Sequence, residues 1–149
     1  MVLSVKRVYE KPSRRDGTRV LVDRLWPRGL TKAAAAIDLW LRELAPSTNL
    51  RKWYHERDSE TPQAWALFRR KYSRELKRPE AAQALQQLHE LTLQNKPVTL
   101  LFASKNLEHN NAHALKEILE RLARGGRVAK PKEAVTNSET AITSGRDEK

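Results

Sequence analysis

The chain has 149 residues, 39% of them hydrophobic and 32% charged, which suits one globular domain large enough to bury a core. It contains no cysteine, so disulfides and thiolate chemistry are excluded, and no apolar run approaches the roughly 18 residues that a membrane span needs. The formal net charge of +11 favours anionic partners, from nucleic acids to phosphorylated metabolites. The first residues lack the basic and apolar regions of a secretion signal, so we expect a cytoplasmic protein.

The first part of the chain contains two strand-like segments separated by a loop. Residues 4–10 alternate apolar and polar side chains, and residues 19–26 are largely apolar, so both are predicted to be strands. Residues 11–18 carry a proline and an Asp-Gly pair, which indicates a loop. A short helix is expected at 32–36. Residues 37–44 fit helical and strand periodicity alike, and we interpret them as a strand after that helix.

The remainder of the domain is predicted to be mostly helical. Helices are expected at residues 62–78, which follow a Thr-Pro start, at about 80–95, and from near Asn110 to a Gly-Gly pair. Residues 97–104 are nearly all apolar, as in strands covered on both faces. This alternation predicts an α/β fold with a mostly parallel sheet of three to five strands flanked by helices, and with more helix than strand.

Residues 125–149 differ in composition from those before them. They include no aromatic residue and no sustained apolar period, so they cannot bury enough surface to offset the entropy lost on ordering. We therefore predict a single α/β domain over residues 1–124 and a disordered tail over residues 125–149.

Polar side chains gather where the two strongest predicted strands end. Asp23, Arg24 and Arg28 lie near the exit of the first, and Ser104 ends the second. Ligands of open α/β sheets bind beyond the carboxyl ends of the strands, so two parallel strands would bring these groups to one rim. The last helix would direct its N-terminus to the same rim. The sequence therefore predicts a pocket for a small ligand that carries a phosphate or a carboxylate.

The residues of this predicted pocket have distinct expected roles. Guanidinium groups can form two hydrogen bonds with a carboxylate or phosphate, and a helix N-terminus adds N–H groups and the positive end of a dipole. The ligand-binding residues are expected to be Arg24, Arg28, Ser104, Asn110 and Asn111. If the site is catalytic, His109 and Asp23 are the candidates for proton transfer. Whether the protein is an enzyme is left open.

His109 and His113 stand four residues apart, which is the spacing of two metal ligands on one helical face. No Glu follows His109 and no other histidine lies nearby in sequence, and a helix cap plus a surface histidine explain the pair equally well. The chain also carries no glycine-rich phosphate loop, nucleophile elbow or dinucleotide fingerprint. We therefore predict neither a metal nor a cofactor.

Three segments of the sequence resemble one bacterial family. Residues 5–30, 37–54 and 98–115 contain DRLWPRG, an APS before Leu-x-x-Trp, and an Asn-Asn-Ala step after a histidine. In these motifs the chain is similar to the YeaO-like branch of the proteins catalogued as domain of unknown function 488, over about residues 5–122. The resemblance implies a small cytoplasmic α/β domain and no established activity.

The resemblance also indicates which residues belong to the family's motifs. In this chain they are Asp23, Arg24, Trp26, Pro27, Arg28, Gly29, Trp40, Pro46, Ser47, Trp53, Tyr72, Asn110 and Ala112. The members expected to support the site structurally are Trp26, Pro27, Gly29, Trp40, Pro46 and Ser47. Many relatives have a second histidine where this chain has Asn111, and an apolar residue where it has His113. Both departures weaken a metal or two-histidine mechanism.

Two alternative functions remain beside the anion pocket. The predicted helix at 62–78 carries a basic stripe opposite its aromatic residues, and such a stripe can follow nucleic-acid phosphates or simply face solvent. Its members are Arg69, Arg70, Lys71, Arg74, Lys77 and Arg78. A methyltransferase that uses S-adenosylmethionine is disfavoured, because we find no glycine-rich adenosine loop. No membrane partner is expected, and the sequence does not predict an oligomeric state.

Overall fold

The computed structural model describes residues 2–56 and 61–125. Its four strands are β1 (Leu3–Arg7), β2 (Thr18–Leu21), β3 (Leu39–Trp40) and β4 (Val98–Phe102). They form one sheet in the order β1-β4-β2-β3, and every neighbouring pair is parallel. The predicted parallel sheet of three to five strands is confirmed.

The helices of the described residues are α1 (Lys32–Ala35), α2 (Thr48–His55), α3 (Pro62–Glu75), α4 (Pro79–Thr92) and α5 (Asn111–Ala123). Helical residues outnumber strand residues, as predicted. None of these helices is both long and apolar enough to cross a membrane. The predicted tail lies outside the described residues except for Gly125.

Three sequence expectations differ from the observed elements. The strand predicted at 19–26 ends at Leu21, because the chain turns away from the sheet after Val22, whose N–H still donates to the Leu101 carbonyl at 3.2 Å. The strand predicted at 37–44 is limited to β3, and a 3-10 turn, Arg42–Leu44, follows it. Helix α2 was not expected. It begins at Ser47, whose hydroxyl accepts the Leu50 N–H.

The main core lies between one face of the sheet and the helices α2 to α5. Val20 of β2 and Leu100 and Phe102 of β4 point to this face, as does Val22 just after β2. They meet helical side chains that include Phe68, Tyr72, Leu88, Leu115 and Leu119. The opposite face presents Val8, Leu21 and Leu101, and the segment between β2 and β3 covers them with Trp26, Leu30 and Ile37, next to Trp40 of β3.

A buried charge network lies at the amino end of β2. The Asp16 carboxylate accepts hydrogen bonds from Arg19 Nη1 at 2.6 Å, from Lys6 Nζ at 3.1 Å and from the Ser13 N–H at 3.0 Å. Burial opposes ionisation of Asp16, but these hydrogen bonds and the charge of Lys6 outweigh it and lower its pKa. The sequence reading treated this segment as a loop and missed the network.

Gly17 allows this edge to close tightly. Its φ is +64°, and a Cβ at this position would lie 2.0 Å from the Pro97 carbonyl oxygen. The same oxygen accepts the Thr18 N–H at 2.9 Å, so the backbone before β4 packs directly against the start of β2. A side chain at position 17 therefore cannot be accommodated without movement of the backbone.

Candidate functional site

A cavity of about 440 Å³ lies beyond the carboxyl ends of β2 and β4. The segment after β2 contributes Asp23, Arg24 and Leu25 to its lining, and the segment after β4 contributes Ser104, Lys105 and Asn106. Because the two strands are hydrogen-bonded in parallel, these segments leave the sheet side by side. Residues of α2, α3 and the start of α5 complete the walls.

Asp23 is fixed on the sheet side of the cavity. Its Oδ2 accepts the Ala103 N–H at 2.9 Å, and its Oδ1 accepts Asn111 Nδ2 at 3.2 Å. Trp40 Nε1 donates to the Asp23 carbonyl at 2.8 Å from the opposite face of the sheet. Burial raises the pKa of Asp23, although the two hydrogen bonds and the charge of Arg51 act in the other direction. The carboxylate is therefore held in place by neutral donors.

The N-terminus of α5 forms part of the cavity wall. Asn110 caps the helix, because its Oδ1 accepts the His113 N–H at 3.0 Å, and its Nδ2 donates to the Asn106 carbonyl at 2.9 Å. Asn111 Nδ2 also donates to the Val22 carbonyl at 2.9 Å. Over residues 2–56 and 61–125, no acceptor receives the backbone N–H of Asn111. An anion in the cavity would meet the positive end of this helix.

Three cationic side chains line the cavity, and each comes from a different segment. Arg24 follows β2, Arg51 lies in α2, and Lys105 follows β4. All three residues are exposed, and Arg24 Nη2 makes a long contact of 3.4 Å to the Ala45 carbonyl. Among the described lining residues Asp23 is the one acid. The rim of the cavity is therefore strongly positive.

The remaining wall is apolar and aromatic. Leu25, Pro46, Tyr54 and Phe68 line it, and the Tyr54 and Phe68 rings lie 4.6 Å apart between centroids. His109 also lines the cavity, and its ring stacks on Trp65 at 4.6 Å with an angle of 13° between the planes. Leu25 is 67% exposed at the mouth. A ligand here would contact apolar surface as well as charge.

A second hollow of about 500 Å³ adjoins the first and shares Arg24, Leu25, Arg51 and His55 with it. Its additional lining residues are Thr48, Lys52 and Glu56. Arg24 and Arg51 therefore line both spaces.

The structure brings most of the predicted site residues together. The requirement that the two strong strands run parallel in one sheet is met. The predicted site residues that line the cavity are Asp23, Arg24, Pro46, Ser104, His109, Asn110 and Asn111. Arg28 is exposed and is not among the lining residues, and its carbonyl accepts the Tyr9 hydroxyl at 2.8 Å. The chain turns between Arg24 and Arg28, so the two guanidiniums do not share this cavity.

The predicted supporting residues occupy two places. Trp26 and Trp40 pack edge to face at 5.6 Å on the opposite face of the sheet, and Trp26 Nε1 donates to the Leu30 carbonyl at 2.7 Å. Pro27 is buried and Gly29 has a φ of +83°, which turns the chain back over this face. On the helical side, Ser47 donates its N–H and hydroxyl to the Glu75 carboxylate at 2.8 and 2.5 Å.

The two histidines of α5 and its approach contact different aromatic residues. His109 stacks on Trp65, whereas His113 meets the edge of Phe102 at 6.0 Å. Burial lowers the pKa of His113, and the charge of Lys116 adds to this effect. In the described part of the chain, no group of three His, Asp or Glu side chains is placed to hold a metal ion.

The cavity residues of α2 were not predicted from the sequence. Arg51, Tyr54 and His55 line the cavity from this helix. A signal was present, since Ser47 is a typical N-cap residue and Leu50 and Tyr54 are spaced by one helical turn. Tyr54 and Phe68 were not recognised as cavity residues because the helical packing that places them was unknown.

Fold and cavity together define a small α/β domain with a parallel sheet and a basic, partly apolar cavity at the carboxyl edge of that sheet. The family profile described as "Inactive DUF488-N3 subclade" matches residues 2–138. The chain therefore belongs to the DUF488-N3 family and, within it, to the subclade described as inactive.

Relatives that match the chain support this assignment. The uncharacterized protein YeaO of Escherichia coli K12 is 40% identical over 122 residues, which cover 82% of this chain and 100% of YeaO. Uncharacterized proteins of Mycobacterium tuberculosis H37Rv and Mycobacterium bovis are each 36% identical over 115 residues, or 77% of this chain and 91% of theirs. No solved structure matches the chain significantly. The resemblance to the YeaO-like branch is thus confirmed.

Proposed function

We propose that the protein binds a small organic anion, carrying a phosphate or a carboxylate, in the cavity beyond β2 and β4. The observation that carries this proposal is the convergence of Arg24, Arg51 and Lys105, from three segments, on one cavity. Guanidinium groups are suited to planar recognition of carboxylate and phosphate. The N-terminus of α5 at the same cavity adds a fixed positive dipole end.

The size and the walls of the cavity favour an organic anion over a bare inorganic ion. Its volume of about 440 Å³ lies in the range of roughly 300–1,000 Å³ that is usual for small-molecule sites. Pro46, Tyr54 and Phe68 offer apolar surface. A ligand with an apolar body would remove this surface from water, and the cations would orient its charged group.

The proposal is for binding and does not include turnover. The family description names the subclade inactive. Both candidate proton carriers also have supporting contacts, since Asp23 accepts the Ala103 N–H and His109 stacks on Trp65. The catalytic roles expected for Asp23 and His109 therefore remain sequence predictions.

Ion-specific stabilisation tests the proposal. We expect phosphate, sulfate and phenyl phosphate to raise the melting temperature more than chloride at equal ionic strength, because a ligand that binds the folded state stabilises it. At a ligand concentration of 100 times Kd, the gain is about 2.7 kcal/mol. An Arg24→Ala, Arg51→Ala double variant should lose the difference between the ions.

The matched control changes the same charge elsewhere. Arg70 and Arg74 are exposed on α3 and do not line the cavity, so an Arg70→Ala, Arg74→Ala double variant should keep the full response to phosphate. An equal loss in both double variants would show general charge screening in place of a site. The absence of any difference between phosphate and chloride in the wild-type protein would also contradict the proposal.

Nucleic-acid binding by α3 is a second candidate, favoured by the exposure of Arg70, Lys71 and Arg74 along one helix. Two members of the basic stripe nevertheless have partners within the chain. Arg69 forms an ion pair with Glu117 at 3.1 Å, and Lys71 lies 5.0 Å above the Trp53 ring. A salt titration separates the two functions, because several phosphate contacts give a steep slope of log affinity against log salt and a single anion gives a shallow one.

A further inference from the structure

We infer that the ligand of this cavity is a small zwitterion whose ammonium group lies beside Asp23 and whose anionic group lies beside Arg51, on an apolar or aromatic body. The inference rests on the proposed anion pocket and specifies the chemical class of its ligand. Amino acids and amine-bearing phosphate esters both have this chemistry.

A carboxylate lies inside the cavity proposed for anions. Asp23 lines the cavity, so a ligand with negative charge alone would be placed near a second negative charge. Such a pair is costly where water is excluded, because the repulsion is screened less than in bulk solvent. A ligand that presents a positive group to Asp23 removes this penalty.

The Asp23 carboxylate has hydrogen-bonding capacity beyond its two donors within the protein. An ionised carboxylate offers about four lone-pair positions. The Ala103 N–H and Asn111 Nδ2, both neutral, each donate one hydrogen bond to it. An ammonium group has three donors and no acceptor. Its positive charge would balance the negative charge of Asp23, which the neutral partners do not.

Arg51 is the cation of the cavity that acts electrostatically on Asp23. Its charge lowers the pKa of Asp23, so the two groups are electrostatically coupled. They nevertheless form no ion pair with each other, and no carboxylate of residues 2–56 and 61–125 lies within 4.0 Å of the Arg51 guanidinium. Two opposite charges thus line one cavity without direct contact. A zwitterion can pair its ammonium group with Asp23 and its anionic group with Arg51 at the same time.

The rest of the lining defines the body of the ligand. Leu25, Pro46, Tyr54 and Phe68 lie in the same cavity as the two charged groups. An amino acid with an apolar or aromatic side chain, or an amine-bearing phosphate ester, would therefore place its charged end at Asp23 and Arg51 and its body against this wall.

The experiment compares ligands that differ only in the ammonium group, titrated against the full chain by calorimetry. The pairs are L-phenylalanine with 3-phenylpropanoate, L-leucine with 4-methylpentanoate, and phosphoethanolamine with ethyl phosphate. The third pair separates phosphate from carboxylate as the anionic group. In at least one pair the zwitterion should bind about tenfold more tightly than the bare acid, as expected for a charge-assisted hydrogen bond to a buried carboxylate.

Variants assign this preference to named residues. Asp23→Asn should abolish the advantage of the zwitterion and leave the bare acid bound at least as tightly as in the wild type. Arg51→Ala should weaken both members of a pair. Arg70→Ala, which removes a charge outside the cavity, should change neither.

Equal or tighter binding of the bare acid in all three pairs, measured in the wild-type protein, would overturn the inference and leave the anion pocket intact. If no acid of the series and no phosphate bound the wild type, the proposed function would fail together with it. These comparisons remain decisive even if Asp23→Asn does not fold.

Discussion

Asp16 and Asp23 lie at opposite ends of β2, and they differ in the charge of their hydrogen-bond partners. Asp16 contacts two cations, Lys6 and Arg19, and its pKa is lowered. Asp23 is hydrogen-bonded to neutral donors, and burial raises its pKa. In the described part of the chain, the carboxylate at the amino end of β2 is thus ion-paired, whereas the carboxylate at its carboxyl end and the cations near it form no ion pair. On the proposed function, this difference separates a structural charge from one that a ligand can contact.

The largest loss of stability is expected for Gly17→Ala, at the amino end of β2. The new Cβ would lie 2.0 Å from the Pro97 carbonyl oxygen at a positive φ, so we expect a loss of about 3–5 kcal/mol or a failure to fold. Gly29→Ala is the matched control, since its φ is also positive but no atom lies within 4 Å of the added Cβ. It should cost about 1–2 kcal/mol. Equal costs in urea unfolding would show that the amino edge is not closed as described.

Asp16→Asn should have the next largest effect. It removes the charge partner of Arg19, which is 3% exposed, so we expect a loss of about 3–5 kcal/mol at neutral pH. Asp38→Asn is the control, because the exposed Asp38 accepts one hydrogen bond from the Arg19 N–H, and its loss should cost about 1 kcal/mol.

The pH dependence of this loss follows from the lowered pKa of Asp16. A carboxyl with a lower pKa in the folded state stabilises the protein above its unfolded pKa of about 3.9. The contribution disappears as the pH falls through the folded value. Urea unfolding of wild type and Asp16→Asn should therefore converge in acid. A difference that persisted at low pH would point to packing as its cause.

The smallest effect is expected for Asp23→Asn. The amide can still accept the Ala103 N–H, and the burial that opposes ionisation of Asp23 no longer matters, so stability should change by less than about 1 kcal/mol. Because the pKa of Asp23 is raised, its contribution to stability depends on pH with the opposite sign from that of Asp16. As the pH falls through the folded pKa toward about 3.9, wild type should gain stability relative to Asp23→Asn. A loss as large as that of Asp16→Asn would show that Asp23 is also a structural ion-pair residue.

The sequence could predict the parallel sheet and the gathering of Asp23, Arg24 and Ser104, because apolar runs mark strands and the carboxyl ends of parallel strands meet. It could not place Arg28, whose direction depends on the turn after Asp23. It also missed the Asp16 network, since three charges separated along the chain become partners only when the strands align. Tyr54 and Phe68 entered the site through helix packing, which local periodicity does not determine.

The central place of β4 has a consequence for how the chain folds during its synthesis. β1 and β2 are made first, yet within the sheet each pairs with β4 and not with the other. Their hydrogen bonds to this strand must wait until residues 98–102 leave the ribosome. Non-local pairing of this kind slows folding and leaves strand edges exposed in the meantime. Until then, the strand segments Leu3–Arg7 and Thr18–Leu21 lack this partner and could pair with other chains.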